Sequence, residues 1–187
     1  MQNSVVIITS DYGEEFLEHK GFGHSRTLYQ EVLKVIIYFP GLEEAGKRIN
    51  LLARSIDIFP TALGLLGISP PPNIHGKDLI LLADSGRGAG FAYSELEPFL
   101  APQKFIKAFQ EEDYKLILNL PSGKIELYQL SQDAKEKNNL AEKYPQKAKK
   151  LLEKMMDLEK SFRVVKAKKP PAPASTKKIL KSLGYIR

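Results

Sequence analysis

The sequence of 187 residues contains no cysteine and no tryptophan. Without a thiol there is no disulfide, no thiolate metal site and no cysteine nucleophile. No apolar run approaches the ~20 residues an α-helix needs to cross a bilayer, so no membrane span is expected. The opening residues also lack a basic stretch followed by a long apolar one, so no signal peptide is expected. Charge of one sign is scarce only at the C-terminal end. Residues 143–187 carry 14 Lys and Arg against 3 Asp and Glu, whereas residues 1–142 carry 14 against 19. That basic end has few aromatics on which bases would stack and no nucleic-acid motif. It reads as a lysine-covered helix face plus a solvated tail, and no specific nucleic-acid binding is expected.

What is present falls into three parts. Residues 1–90 carry the marks of an α/β sheet. "SVVIIT" (4–9) and "KVIIYFPG" (34–41) are short β-branched runs, apolar on both faces, as in buried parallel strands. Between them "TLYQEVL" (27–33) suggests a short helix or turn. "ARSIDIFPTALGLLGI" (53–68) reads as a helix with Ser55 as N-cap, Pro60 in its first turn and Gly67 at its stop. "SPPPN" (69–73) and residues 83–90 read as loops. Residues 91–163 change character: four short, partly alternating runs separated by "EED" and "PSGK" predict an antiparallel meander. A long amphipathic helix follows, with Tyr144, Ala148, Leu151, Leu152, Met155 and Phe162 as its core stripe. Residues 164–187 are a Pro/Lys-rich linker and a short terminal helix. The fold class is therefore α/β: a partial parallel sheet, then a small antiparallel sheet packed with a long helix.

Two residues stand out as chemical. Asp11 follows the first apolar strand, where α/β sheets place their ligands, and a carboxylate there can hold a hard cation. An Asx-turn or a helix cap explains it equally well. His24 follows two nearby glycines in "GFGHSRT", where a backbone can approach a ligand and an imidazole can bind an anion or move a proton. A hydrogen-bonded loop histidine is the plainer alternative. His19, in "EFLEHKG", reads as exposed, and His75, in "NIHGKDL", as structural.

The order of short motifs carries a resemblance. "VVIITSDYGEEFLEHKGFGHSRTLYQEV" is followed by "RSIDIFPTALGLLGI", "IHGKDL", "YKLILN", "ELYQLSQDAKEKNNLAEKYP" and the terminal "LKSLGYI". In this order, over nearly the whole chain, they resemble the C-terminal part of a sulfatase, a member of the alkaline phosphatase superfamily. The resemblance implies that Asp11 is a ligand of the active-site divalent cation, usually calcium. It implies that His24 contacts the sulfate oxygens or protonates the leaving group. Tyr12 stands where the family has His or Asn, and a neutral phenol is a poor calcium ligand, so weak metal binding is expected. The family's nucleophile is a formylglycine made from Cys or Ser in a Cys/Ser-x-Pro/Ala-x-Arg motif, and no such motif is present.

The expected function is thus that of a fragment of a sulfuric ester hydrolase, lacking the nucleophile-bearing N-terminal half and inactive alone. A phosphate or phosphonate ester hydrolase or transferase of the same superfamily is an alternative, as is a non-catalytic remnant or interaction module. A sulfate ester would be the substrate once an N-terminal half completes the site. The apolar strands near residues 5–8 and 35–39 are expected to form a surface that such a half, or a second copy of the chain, covers.

Overall fold

Alternation along four consecutive strands builds the centre of the molecule. In a computed structural model, residues 4–24, 26–40, 48–97, 105–162, 178 and 182 are described. The chain divides into two units, Met1–Met156 and Asp157–Arg187. The first unit contains a four-stranded antiparallel meander of β5 (Phe91–Leu96), β6 (Ile106–Glu111), β7 (Tyr114–Asn119) and β8 (Lys124–Gln129), in that spatial order. Period-two alternation divides its side chains between two faces. Ala108, Ile117 and Glu126 are cross-strand neighbours on one face, and Phe109, Leu116 and Leu127 on the other.

Each face meets a different part of the chain. Leu28, Tyr29 and Leu33, at or beside the one-turn helix α1 (Gln30–Leu33), pack on the first face with Ile106, Ala108, Ile117 and Tyr128. Helix α4 (Pro145–Ser161) attends the second: Lys154 pairs with Glu111 at 2.5 Å, and Lys147 lies 4.4 Å from the Tyr114 ring centroid. Ala148, Leu151 and Met155, at helical spacing, are buried. The two ends of the expected stripe differ from its middle, because Tyr144 is 41% and Phe162 40% exposed. Tyr144 precedes the first helical residue and carries Lys143 over its ring.

The expected parallel sheet is corrected. The run at 4–9 yields only β1 (Ile8–Thr9) and the run at 34–41 only β4 (Ile37–Tyr38), and they pair antiparallel. Parallel neighbours need a long crossover, usually a full helix. The connection here contains instead a tight hairpin, β2 (Glu15–Phe16) with β3 (Phe22–Gly23), and the four-residue α1. Nor are these strands buried among the described residues, since Val5, Ile8, Ile36 and Tyr38 are all exposed.

Residues 53–68 form a 3-10 turn, Ser55–Asp57, and then α2 (Ile58–Leu65). Ser55 is not the cap. Asp57, fully buried, accepts the Arg54 amide and guanidinium and the Lys77 amide, and its carboxylate fixes the helix start. Gly67 ends the helix at φ +69°, a conformation open to glycine at little cost. The segment taken as loop from residue 83 begins within a helix, α3 (Leu79–Ser85). Asp78 caps it by accepting the Ile80 and Leu81 amides, and Gly86 stops it. In the second unit Lys160 pairs with Asp157 at 2.8 Å. The linker and terminal helix expected over 164–187 lie outside the described residues, apart from residues 178 and 182.

Candidate active site

The segment from Asp11 to Leu33 is short of regular structure, yet it is tied down by buried polar groups. Glu15 is fully buried at the start of β2. Its carboxylate accepts the amides of His19 (3.1 Å) and Gly21 (2.6 Å) and the Thr27 hydroxyl (3.1 Å). One acid thus holds both ends of the loop that carries His24. A Cβ on Gly21 would lie 2.7 Å from the Glu15 carboxylate, so only glycine fits there. Leu17 and Lys20 take positive φ values of 72° and 68°, a strain that the hairpin's hydrogen bonds sustain.

A second set of contacts docks this segment on the meander. His19 is not exposed as expected: its side chain is 11% accessible. Its Nδ1 lies 2.5 Å from the Glu31 carboxylate, its Nε2 2.9 Å from the Glu136 carbonyl, and its ring stacks on Tyr29 at 3.6 Å. The Glu136 carboxylate accepts the Gln30 amide at the start of α1 and faces Lys115 at 2.7 Å. Lys115 and Glu136 are 1% and 0% accessible, and the atoms of this ion pair make no other polar contact among the described residues. Burial pushes the Glu136 carboxyl up and the Lys115 ammonium down, each opposed by the other's charge. Tyr29 and Tyr128 both donate to Glu126. Burial first, and then the Glu126 charge, raise both phenols, which stay neutral across the physiological range. Burial works to raise Glu126 itself, but the Lys124 ammonium at 2.5 Å and the two hydroxyls hold it below the ordinary carboxylate value.

On this frame sit the two residues singled out from the sequence. Asp11 lies on a bend two residues after β1, exposed, its Oδ1 accepting the Tyr12 amide at 3.1 Å. His24 follows β3 directly. The turn that carries Asp11 reaches His24 through its neighbours. Tyr12 stacks on the His24 ring with centroids 4.0 Å apart and planes 24° from parallel, and Glu14 lies 3.2 Å from His24 Nδ1. Gly13 makes this close turn possible: its amide donates to Val32 O at 2.8 Å, and a Cβ there would sit 2.0 Å from the Glu31 carbonyl. Among the described residues no group of three His, Cys, Asp or Glu is placed to hold a metal ion. At this point Asp11 is an exposed carboxylate open to a cation, whereas Glu14 and Tyr12 are engaged with His24.

Comparison with known proteins bears on this geometry. Residues 18–161 match the family model described as N-sulphoglucosamine sulphohydrolase, C-terminal. The chain belongs to the sulfatase family. The matched range includes His24 and begins after Asp11. Arylsulfatase K of Mus musculus is 27% identical over 158 residues, covering 78% of this chain and 28% of that protein. The uncharacterized sulfatase YidJ of Escherichia coli (strain K12) is 25% identical over 144 residues, covering 74% of this chain and 28% of that one. The chain therefore spans less than a third of the length of these curated relatives. Among solved structures, BT4656 in complex with its substrate D-glucosamine-2-N,6-O-disulfate matches with a TM-score of 0.70 at 26% identity, over 83% of this chain and 34% of that one. The phosphonate monoester hydrolase of Agrobacterium radiobacter shares the fold with a TM-score of 0.65 at 22% identity. The sulfatase family generally uses a divalent cation, and the alkaline-phosphatase-like α/β class expected from the motifs holds. The chain corresponds to the C-terminal part of a sulfatase, matching only part of each relative.

The sequence did not point to Glu14, Glu15 or Glu136. A signal for Glu15 existed in retrospect: an acid before a glycine-punctuated hairpin, with glycines at 21 and 23 and a hydroxyl at Thr27. Nothing local marks Glu136, which meets Gln30 across 106 residues.

Proposed function

We propose that this chain forms the His24-bearing portion of a sulfuric ester hydrolase whose nucleophile lies on the rest of the fold. The observation that carries this reading is the convergence of Tyr12, Glu14 and His24 on one exposed patch beside Asp11, within a chain of sulfatase descent. Asp11 would serve as one ligand of a divalent cation, calcium in the family's usual form, and the cation would draw charge off the ester oxygens. Its single carboxylate fits a contribution to a shared site and not a complete one. His24 would contact a sulfate oxygen or hand a proton to the leaving alkoxide.

Exposed apolar side chains support the reading that a partner covers this face. Val5, Ile8, Ile36 and Tyr38, on or near β1 and β4, are exposed apolar side chains, and burying one aliphatic side chain is worth roughly 1.5–3 kcal/mol. The nucleophile-bearing remainder of a sulfatase fold would cover them, and in its absence a second copy would do so. Size-exclusion chromatography with light scattering on the chain, with and without that remainder, tests this. Association that Ile8→Lys and Ile36→Lys abolish is expected. A monomer that ignores the remainder and is unchanged by both substitutions would overturn it.

A further inference from the structure

Tyr12 stands where the resemblance calls for a metal ligand, and its position suggests another task. Its ring lies flat on His24, 46% exposed itself, with His24 40% accessible at the side chain. Glu14, two residues on, meets the same imidazole at Nδ1. The stacking face fixes the plane of the ring, and the Glu14 contact favours the orientation that places Nδ1 toward the carboxylate. Moreover, a carboxylate at Nδ1 acts only as an acceptor, so Nδ1 must carry a proton. His24 Nε2, by contrast, makes no hydrogen bond to any described residue.

We infer that Tyr12 and Glu14 are positioning residues that lock the His24 ring and its tautomer, so that Nε2 is the atom that, once it carries a proton as the imidazolium, donates to a sulfate-ester oxygen. This rests on the sulfatase reading of the site and deepens it. Glu14 keeps the Nδ1 proton in place, so the proton that His24 gives or takes is the one on Nε2, as when a carboxylate orients a catalytic or metal-bound imidazole. Tyr12 sets the plane of the ring. Their backbone is in turn held by Gly13 against the Glu31–Val32 turn, so the pair moves with a fixed element.

Nitrogen-15 NMR of the full chain tests this. In the neutral ring His24 is expected as the Nδ1–H tautomer, the reverse of free histidine's preference. Glu14→Ala should return it to mainly Nε2–H. Tyr12→Leu should remove the ring-current shift on the His24 carbon-bound protons while the amide spectrum stays dispersed. Addition of inorganic sulfate should move Nε2 and leave Nδ1 nearly still. An Nε2–H tautomer in the unmodified chain, or a His24 spectrum indifferent to both substitutions, would overturn the inference. A fixed Nδ1–H tautomer with no response to sulfate would uphold the positioning and count against the sulfate-ester reading alone.

Discussion

Removing Lys115 should expose how much the docked segment depends on one buried charge pair. Lys115 and Glu136 are 1% and 0% accessible and 2.7 Å apart, and Glu136 also accepts the Gln30 amide that starts α1. Lys115→Met fills similar space but leaves a carboxylate in a dry site. Losing one partner of a buried pair costs about 3–5 kcal/mol. For a domain of this size that is a fall of about 6–20 °C in Tm. Glu136→Gln in the same chain removes the stranded charge and keeps an oxygen for the Gln30 amide, so the double variant should recover most of the loss. The single variant should also show a distinctive pH response. Burial raises the Glu136 carboxyl, and without Lys115 the Gln30 amide alone remains to oppose that rise among the contacts that lower it. A carboxyl whose folded pKa is raised favours the folded state at low pH and loses that contribution as pH rises through the folded value. Lys115→Met should therefore gain stability relative to the parent as pH falls below neutral. Urea denaturation across pH measures all three proteins. A cost under about 1 kcal/mol for Lys115→Met, or a double variant no better than the single, would refute the argument.

Other outcomes follow from the same geometry. Gly21→Ala should cost about 1–3 kcal/mol by denaturant titration, since its Cβ would meet the fully buried Glu15 carboxylate, itself held by three donors. Leu151→Ala, at 1% exposure on α4, should cost about 2–5 kcal/mol in the same assay. Glu126 sits below the ordinary carboxylate value because Lys124, Tyr29 and Tyr128 outweigh its burial. A depressed carboxyl stabilises the fold above its unfolded pKa and loses that contribution as pH falls through the folded value. Glu126→Gln should accordingly flatten the acid limb of the stability–pH curve.

The meander and α4 were legible because their signals are local: alternation in "YKLILN" and "IELYQL", turn chemistry at "PSGK", and a 3.6-residue stripe at Ala148, Leu151 and Met155. Strand direction at residues 8–9 and 37–38 was not, because an apolar run looks alike in either direction and its pairing is decided by the connection. Here the β2–β3 hairpin occupies much of that connection, and the run "EFLEHKGFG" hides it beneath charged residues and a buried glutamate. Asp57 outcompeted Ser55 as the organiser of the α2 start because its carboxylate reaches three donors at once, one of them the Lys77 amide twenty residues on. Strand-end and glycine context singled out Asp11 and His24 as candidates. The pairing of His24 with Tyr12 and Glu14 depends on the fold of the hairpin and is written in no short motif.

The central claim is that this chain brings part of a sulfate-ester site and lacks the nucleophile. The most direct measurement is turnover of an aryl sulfate by the purified chain, by Mus musculus arylsulfatase K truncated of its matching C-terminal part, and by the two together in the presence of calcium. The account predicts no turnover by either alone and turnover on mixing that Asp11→Ala and His24→Ala each abolish. Turnover by this chain alone, lost on Asp11→Ala, would contradict it, as would turnover of the mixture that survives both substitutions.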